Sequence, residues 1–127
     1  HDRIWASGLQ DDVRIISHTV DPQNDTPELM KAYGERLGAD GEVWKFLTGP
    51  KEDLYPLLQE GYLLTALASD TAAGGFFHSD QVILVDAEGH LRGTYDGTRT
   101  SDVDQMFENL MQVLAKQKAS TANQIQP

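Results

Sequence analysis

The sequence predicts an α/β domain, and three observations carry that prediction. Short apolar runs bounded by turn residues alternate with stretches whose apolar residues recur every three to four positions. Glycine and proline mark several of the boundaries between these segments, as at Gly38, Thr48-Gly49-Pro50 and Ala72-Ala73-Gly74-Gly75. The order that results is strand, helix, strand, helix, hairpin, helix, in which helical crossovers separate the first strands.

The elements follow in chain order. A short apolar-spaced segment around Ile4, Trp5 and Leu9 reads as the end of a helix, and Val13-Arg14-Ile15-Ile16 as a strand running on to Ser17. Asp25-Thr26-Pro27-Glu28 is a helix start. It offers a capping oxygen, a proline at the first helical position where a missing N–H costs nothing, and an acid at the positive end of the dipole. Leu29, Tyr33 and Leu37 continue that helix as an apolar stripe until Gly38 stops it. Val43 to Leu47 reads as a second strand, ended by Thr48-Gly49-Pro50. Leu54, Tyr55, Leu58 and Tyr62 give a second helix that Pro56 makes late or kinked. After the loop Ala72-Ala73-Gly74-Gly75, Val82 to Val85 is a strand, Ala87-Glu88-Gly89 fits a three-residue hairpin turn, and Leu91 to Tyr95 returns antiparallel. Val103, Met106, Phe107, Leu110 and Leu114 mark a last amphipathic helix, and Gln117 to Pro127 reads as a polar tail without apolar period.

Length and composition narrow the function. A chain of 127 residues holds one core, and no apolar run approaches the roughly 20 residues of a membrane span. The net charge of −10, with ten scattered basic residues, argues against nucleic acid as a partner. There is no cysteine, so disulfides say nothing about compartment.

Three stretches carry chemistry. They are Ser17-His18-Thr19-Val20-Asp21-Pro22-Gln23-Asn24-Asp25-Thr26-Pro27-Glu28, then Phe77-His78-Ser79-Asp80 ahead of the apolar strand, then Leu84-Val85-Asp86-Ala87-Glu88-Gly89. Together they resemble the Sco/SenC family, thioredoxin-like proteins that deliver copper to cytochrome c oxidase or reduce its assembly thiols. The resemblance runs from about residue 11 to residue 116 and implies a thioredoxin-like, three-layer α/β fold over residues 1–116. That fold would lack its first strand and most of its redox helix in this chain. It also implies that the strand Val13 to Ser17 and the strand Val82 to Leu84 flank a central position that the chain does not fill. The family works through a Cys-x-x-x-Cys pair, which is absent here.

By the same resemblance His78 is the metal ligand and copper the metal, held fully only when two cysteines are supplied. Cu(I) is soft and prefers thiolates, while one imidazole can complete a two-sulfur site and leave it labile. Read on the residues alone, a histidine at a strand's edge is more often a partly buried hydrogen-bonding residue of the fold than a ligand. The loop from about Ser69 to Phe77 is expected to be mobile and to deliver His78, since its glycines cost the most entropy to order. The implied function is that of a copper metallochaperone for the oxidase's binuclear copper site. The alternatives are a thiol-disulfide oxidoreductase, the one enzyme class suggested, and a cysteine-less scaffold. The implied partner is the oxidase copper subunit or another copper or thiol protein. The implied location is the periplasmic side of the inner membrane, with an anchor preceding His1.

The remaining candidates point elsewhere. His18 reads as a loop residue bonded to backbone and His90 as solvated in the hairpin turn, while chelation of Cu(II) by His1, which would need a free α-amine, is the disfavoured reading of that residue. Met30, Met106 and Met111 read as core. Asp11, Asp12, Asp21 and Asp25 read as solvated or capping groups. Ser17 and Ser79 have no Gly-x-Ser-x-Gly elbow, and neither Gly-x-x-x-x-Gly-Lys nor His-Glu-x-x-His occurs.

Overall fold

The computed structural model describes residues 1–61 and 80–124. The chain forms two compact units, His1–Phe77 and His78–Pro127. Among the described residues four strands make two two-stranded sheets, β1 with β2 and β3 with β4.

In the first unit, α1 (Asp2–Ala6) is followed by β1 (Ile15–His18), α2 (Pro27–Arg36), β2 (Trp44–Leu47) and α3 (Lys51–Pro56). β1 begins two residues later than the apolar run suggests, because the Val13 amide is already bonded to Leu9 O in a helical turn at 3.0 Å. β1 and β2 are parallel, in a register from Ile15 opposite Trp44 to His18 opposite Leu47. Among the described residues of this unit Ile4, Leu9, Met30, Val43, Leu54 and Leu58 are the buried apolar ones, with Val43 only 2 % exposed.

α2 starts as its sequence dictates. Thr26 is extended at the N-cap and its Oγ1 accepts from the Leu29 amide at 3.4 Å, with Pro27 leading the first turn. The buried row, however, is Met30 and Gly34. The expected stripe of Leu29, Tyr33 and Leu37 is about half exposed instead. Gly34 explains the rotation: a Cβ there would stand 2.8 Å from Phe46 Cδ2, so the bare backbone is what lets the helix settle on β2. Gly38, at φ +79°, ends the helix.

α3 starts before Pro56 rather than late, and the proline sits inside its last turn. The chain then widens into a π-helical turn, Leu57–Gly61. Pro56 supplies no N–H and crowds the preceding carbonyl, so the regular ladder cannot continue through it. Leu54 and Leu58 are buried as expected. Tyr55 donates its hydroxyl to Val20 O at 3.2 Å, and Tyr62 lies outside the described residues.

The second unit holds the hairpin β3 (Gln81–Val85) and β4 (Leu91–Asp96), then α4 (Thr100–Gln124). The strands are antiparallel, with Val82 opposite Tyr95 and a bulge after Leu84. The bond from Asp86 N to His90 O at 3.0 Å closes the three-residue turn, whose Gly89 has φ +85°. Tyr95 is buried and accepts from Asn109 Nδ2 of α4 at 2.7 Å. Its ring lies over Gly93, where a Cβ would come within 2.7 Å of Cζ.

α4 corrects the expected tail. Gln117 onward stays helical as far as Gln124, because Ala115 to Ala119 are helix formers and neither glycine nor proline intervenes before Pro127. Met111, expected in the core, is 46 % exposed. Among the described residues no helix is long and apolar enough to cross a membrane.

Candidate functional site

The family-implied ligand His78 lies outside the described residues, as do Phe77, Ser79 and the loop from Ser69 to Phe77. What is described is the anchor just after it. Asp80 O accepts from the Gly97 amide at 2.7 Å, and a Cβ on residue 97 would stand 2.9 Å from that oxygen. The contact fixes the entry to β3 two residues after His78.

The stretch from Thr19 to Thr26 folds into a self-bonded turn at the end of β1. Thr19 is 4 % exposed, donates its hydroxyl to the Asp25 carboxylate and accepts from the Asp21 amide at 2.9 Å. Asn24 Nδ2 donates to Asp21 Oδ2 at 2.7 Å, and the Asp25 amide donates to Asp21 O at 2.9 Å. Asp21 and Asp25 are therefore capping groups, as their positions suggest. Asp11 and Asp12 are exposed.

His18 is the last residue of β1, not a loop residue. Burial pushes its pKa down, leaving the imidazole neutral at neutral pH. It stands at the carboxyl end of a parallel strand, the edge at which α/β folds present ligand-binding groups.

His1 is engaged in a network the sequence does not announce. Its Nε2 lies 3.1 Å from Asp40 Oδ2 and its Nδ1 3.3 Å from Asp2 Oδ1. Both ring nitrogens thus face carboxylates. The hydrogen bond to Asp40 raises the His1 pKa; burial opposes it and Asp2 adds to it. Asp40 Oδ2 also accepts from Trp5 Nε1 at 2.9 Å, while Oδ1 takes the Glu42 and Val43 amides at 2.9 and 2.7 Å. Burial works against the Asp40 charge, but the bonds from His1, Trp5 and the turn amides outweigh it and hold its carboxyl well below the usual range.

His90 is exposed, as expected, but not isolated. Its Nδ1 is 3.4 Å from both Asp86 Oδ2 and Glu88 Oε2. Among the described residues Asp86, Glu88 and His90 are the group whose ligand atoms all lie within 4.8 Å of one another. The alternation Asp-x-Glu-x-His across a tight turn was the available sequence signal, since such spacing puts three side chains on one side of the turn. Asp86 is 3 % exposed. Its Oδ1 accepts the Glu88 and His90 amides, each at 2.9 Å, and its Oδ2 accepts from Arg92 Nε at 2.6 Å. Burial favours its neutral form, yet the His90 amide, Arg92 and the Glu88 amide bring its pKa down to about 2. Met30 is buried and Met106 half-buried.

Sequence and fold both have known relatives. The chain is 25 % identical over 99 residues to the SCO1 protein homolog of Bacillus subtilis (strain 168), covering 78 % of this chain and 51 % of that protein. It thus spans about half the length of this curated relative. It also matches a solved structure described for a disulfide switch in BsSco, a member of the Sco family of cytochrome c oxidase assembly proteins. The TM-score is 0.62 at 28 % identity, over 85 % of this chain and 62 % of that one. The α/β architecture is accordingly the thioredoxin-like one of Sco proteins. The SCO1/SenC family model aligns with residues 4–115, which is nearly the whole chain, and the chain belongs to that family.

Proposed function

We propose that this chain is part of a protein acting in cytochrome c oxidase assembly, with copper as its cargo and the oxidase's copper subunit as its partner. The observation that carries the reading is the family match over residues 4–115, with a fold shared at 28 % identity with a Sco oxidase-assembly protein. His78 is the nitrogen ligand in this proposal, placed two residues before the Asp80–Gly97 anchor of β3. An anchor of that kind gives a ligand at a strand's entry a fixed base. The site is outside the cell's inner membrane in this reading, on the periplasmic face of a bacterium.

The chain has no cysteine, so thiolates must come from residues outside these 127 or from a partner. Cu(I) held by imidazole alone is a poor match of hard and soft character. Competition against a chromogenic Cu(I) chelator tests this. The 127-residue chain should lose to the chelator. A version preceded by a Cys-x-x-x-Cys segment should retain Cu(I), and His78→Ala in that version should weaken retention about tenfold or more. Equal retention by His78→Ala and its parent would remove His78 from the site. Copper bound as tightly by the cysteine-free chain would remove the thiolate requirement.

A further inference from the structure

We propose that Gly97 is a positioning residue for the ligand at residue 78, holding the entry to β3 through Asp80 by an approach that only a residue without a side chain allows. The inference rests on the reading of His78 as a copper ligand. His78 itself lies outside the described residues, whereas the parts that hold the chain after it lie within them.

Three observations support the role. First, the contact is close and runs from backbone to backbone. The Gly97 amide donates to Asp80 O at 2.7 Å, and a Cβ at residue 97 would stand 2.9 Å from that oxygen and 3.0 Å from Val82 Cγ2. A main-chain oxygen cannot swing aside as the tip of a side chain can, so an added methyl must push the start of β3 away. Gly97 is not one of the glycines with positive φ. Its need for glycine therefore comes from the neighbour it touches and not from its backbone angle.

Second, Gly97 sits in a turn that is itself tied down. The Thr98 amide and hydroxyl both donate to Asp96 Oδ1, at 2.9 and 2.5 Å, and the Arg99 amide donates to Asp96 O at 3.1 Å. The Asp96 amide in turn donates to Asp102 Oδ2, in the first turn of α4, at 3.1 Å. Third, the tether to the ligand is short. The β3–β4 register starts with Gln81 opposite Asp96, so the Asp80–Gly97 bond extends the ladder by one step towards residue 78. Two residues of chain reach at most about 7 Å, and a metal site tolerates misplacement of its ligands by only about 0.5 Å.

The test uses the version preceded by a Cys-x-x-x-Cys segment, loaded with Cu(I) and challenged with the chromogenic chelator. Gly97→Ala should weaken retention about tenfold. Asp102→Ala removes the acceptor of the Asp96 amide without placing an atom against Asp80. It should act in the same direction, and it carries the test if Gly97→Ala does not fold. Gly93→Ala controls for stability alone: its Cβ would come within 2.7 Å of Tyr95 Cζ in the same hairpin, so it should lower the melting temperature and leave retention unchanged. With Cu(II) loaded instead, the imidazole nitrogen hyperfine coupling should change in Gly97→Ala and stay as in the parent in Gly93→Ala. Combined with His78→Ala, Gly97→Ala should weaken retention no further. If His78→Ala retains copper like its parent, the copper reading and this inference fall together. If His78→Ala releases copper while Gly97→Ala and Asp102→Ala retain it, the positioning role alone is overturned. Equal weakening by Gly93→Ala and Gly97→Ala overturns it as well.

Discussion

Asp86 shows how a single carboxylate can organise a turn. Its side chain is nearly inaccessible, and every oxygen is bonded to residues of the same turn or to Arg92. Its pKa falls from 3.8 to about 2, so the charged form is the one the fold favours. The sign follows from linkage. A depressed carboxyl contributes stability that is complete above its unfolded pKa and lost as pH falls through the folded value. Stability carried by Asp86 should therefore fade between about pH 4 and pH 2. Asp86→Asn should lower stability at neutral pH and flatten that acid limb, as thermal melts across the range would record. An acid limb of unchanged steepness in the variant would assign it to other carboxylates, Asp40 first among them.

At the scale of elements, α2 carries the sharpest test. Gly34 lies against the Phe46 ring, and a Cβ would approach Cδ2 to 2.8 Å. Gly34→Ala gains up to about 1 kcal/mol of helix propensity and loses about 1–3 kcal/mol to overpacking. The net expectation is destabilisation by about 1 kcal/mol, read from urea midpoints. A stabilised variant would mean that the Phe46 ring moves aside freely. α4 gives a contrasting case. Its last described buried residue is Leu114, so cutting the chain after Lys116 should cost little, whereas Leu114→Ala should cost about 2–3 kcal/mol.

These elements also show what was legible. The Thr26-Pro27 start of α2, the Gly38 stop and the Asp86–Gly89 turn were readable because local chemistry decides them. The face of α2 was not, because Leu29, Tyr33 and Leu37 have the right period and lose only to the close approach that Gly34 permits across the sheet. The length of α4 escapes the pattern for the opposite reason: a polar run of helix formers continues a helix without apolar period, one residue added to an existing ladder at a time. The family was legible from three short stretches, and two of them have structural roles. Thr19 to Thr26 closes on itself and Asp86 to Gly89 makes the hairpin. The His1–Trp5–Asp40 network was out of reach, since 35 or more residues separate the partners.

For the molecule as a whole, charge sets the response to solution conditions. A net charge of −10 on 127 residues makes the folded chain repel itself. Added salt screens that repulsion over a Debye length of about 10 Å at 0.1 M, so the melting temperature should rise between low and moderate ionic strength. A fall on adding salt would instead mean that attraction within surface ion pairs outweighs the repulsion. The pH response combines two opposing effects. From pH 7 towards 5, the first protons taken up relieve repulsion while Asp40 and Asp86 stay ionised, because both titrate below the ordinary carboxylate range. Further acid neutralises those two in turn and removes the bonds to His1, Trp5 and Arg92 that depend on their charge. Stability should accordingly peak near about pH 5 and drop on the acid side. Melts from pH 7 to pH 3 at low salt would locate the maximum. A stability that declines steadily from pH 7 downward would show that the paired carboxylates outweigh the repulsion throughout, and that net charge is of little consequence to this fold.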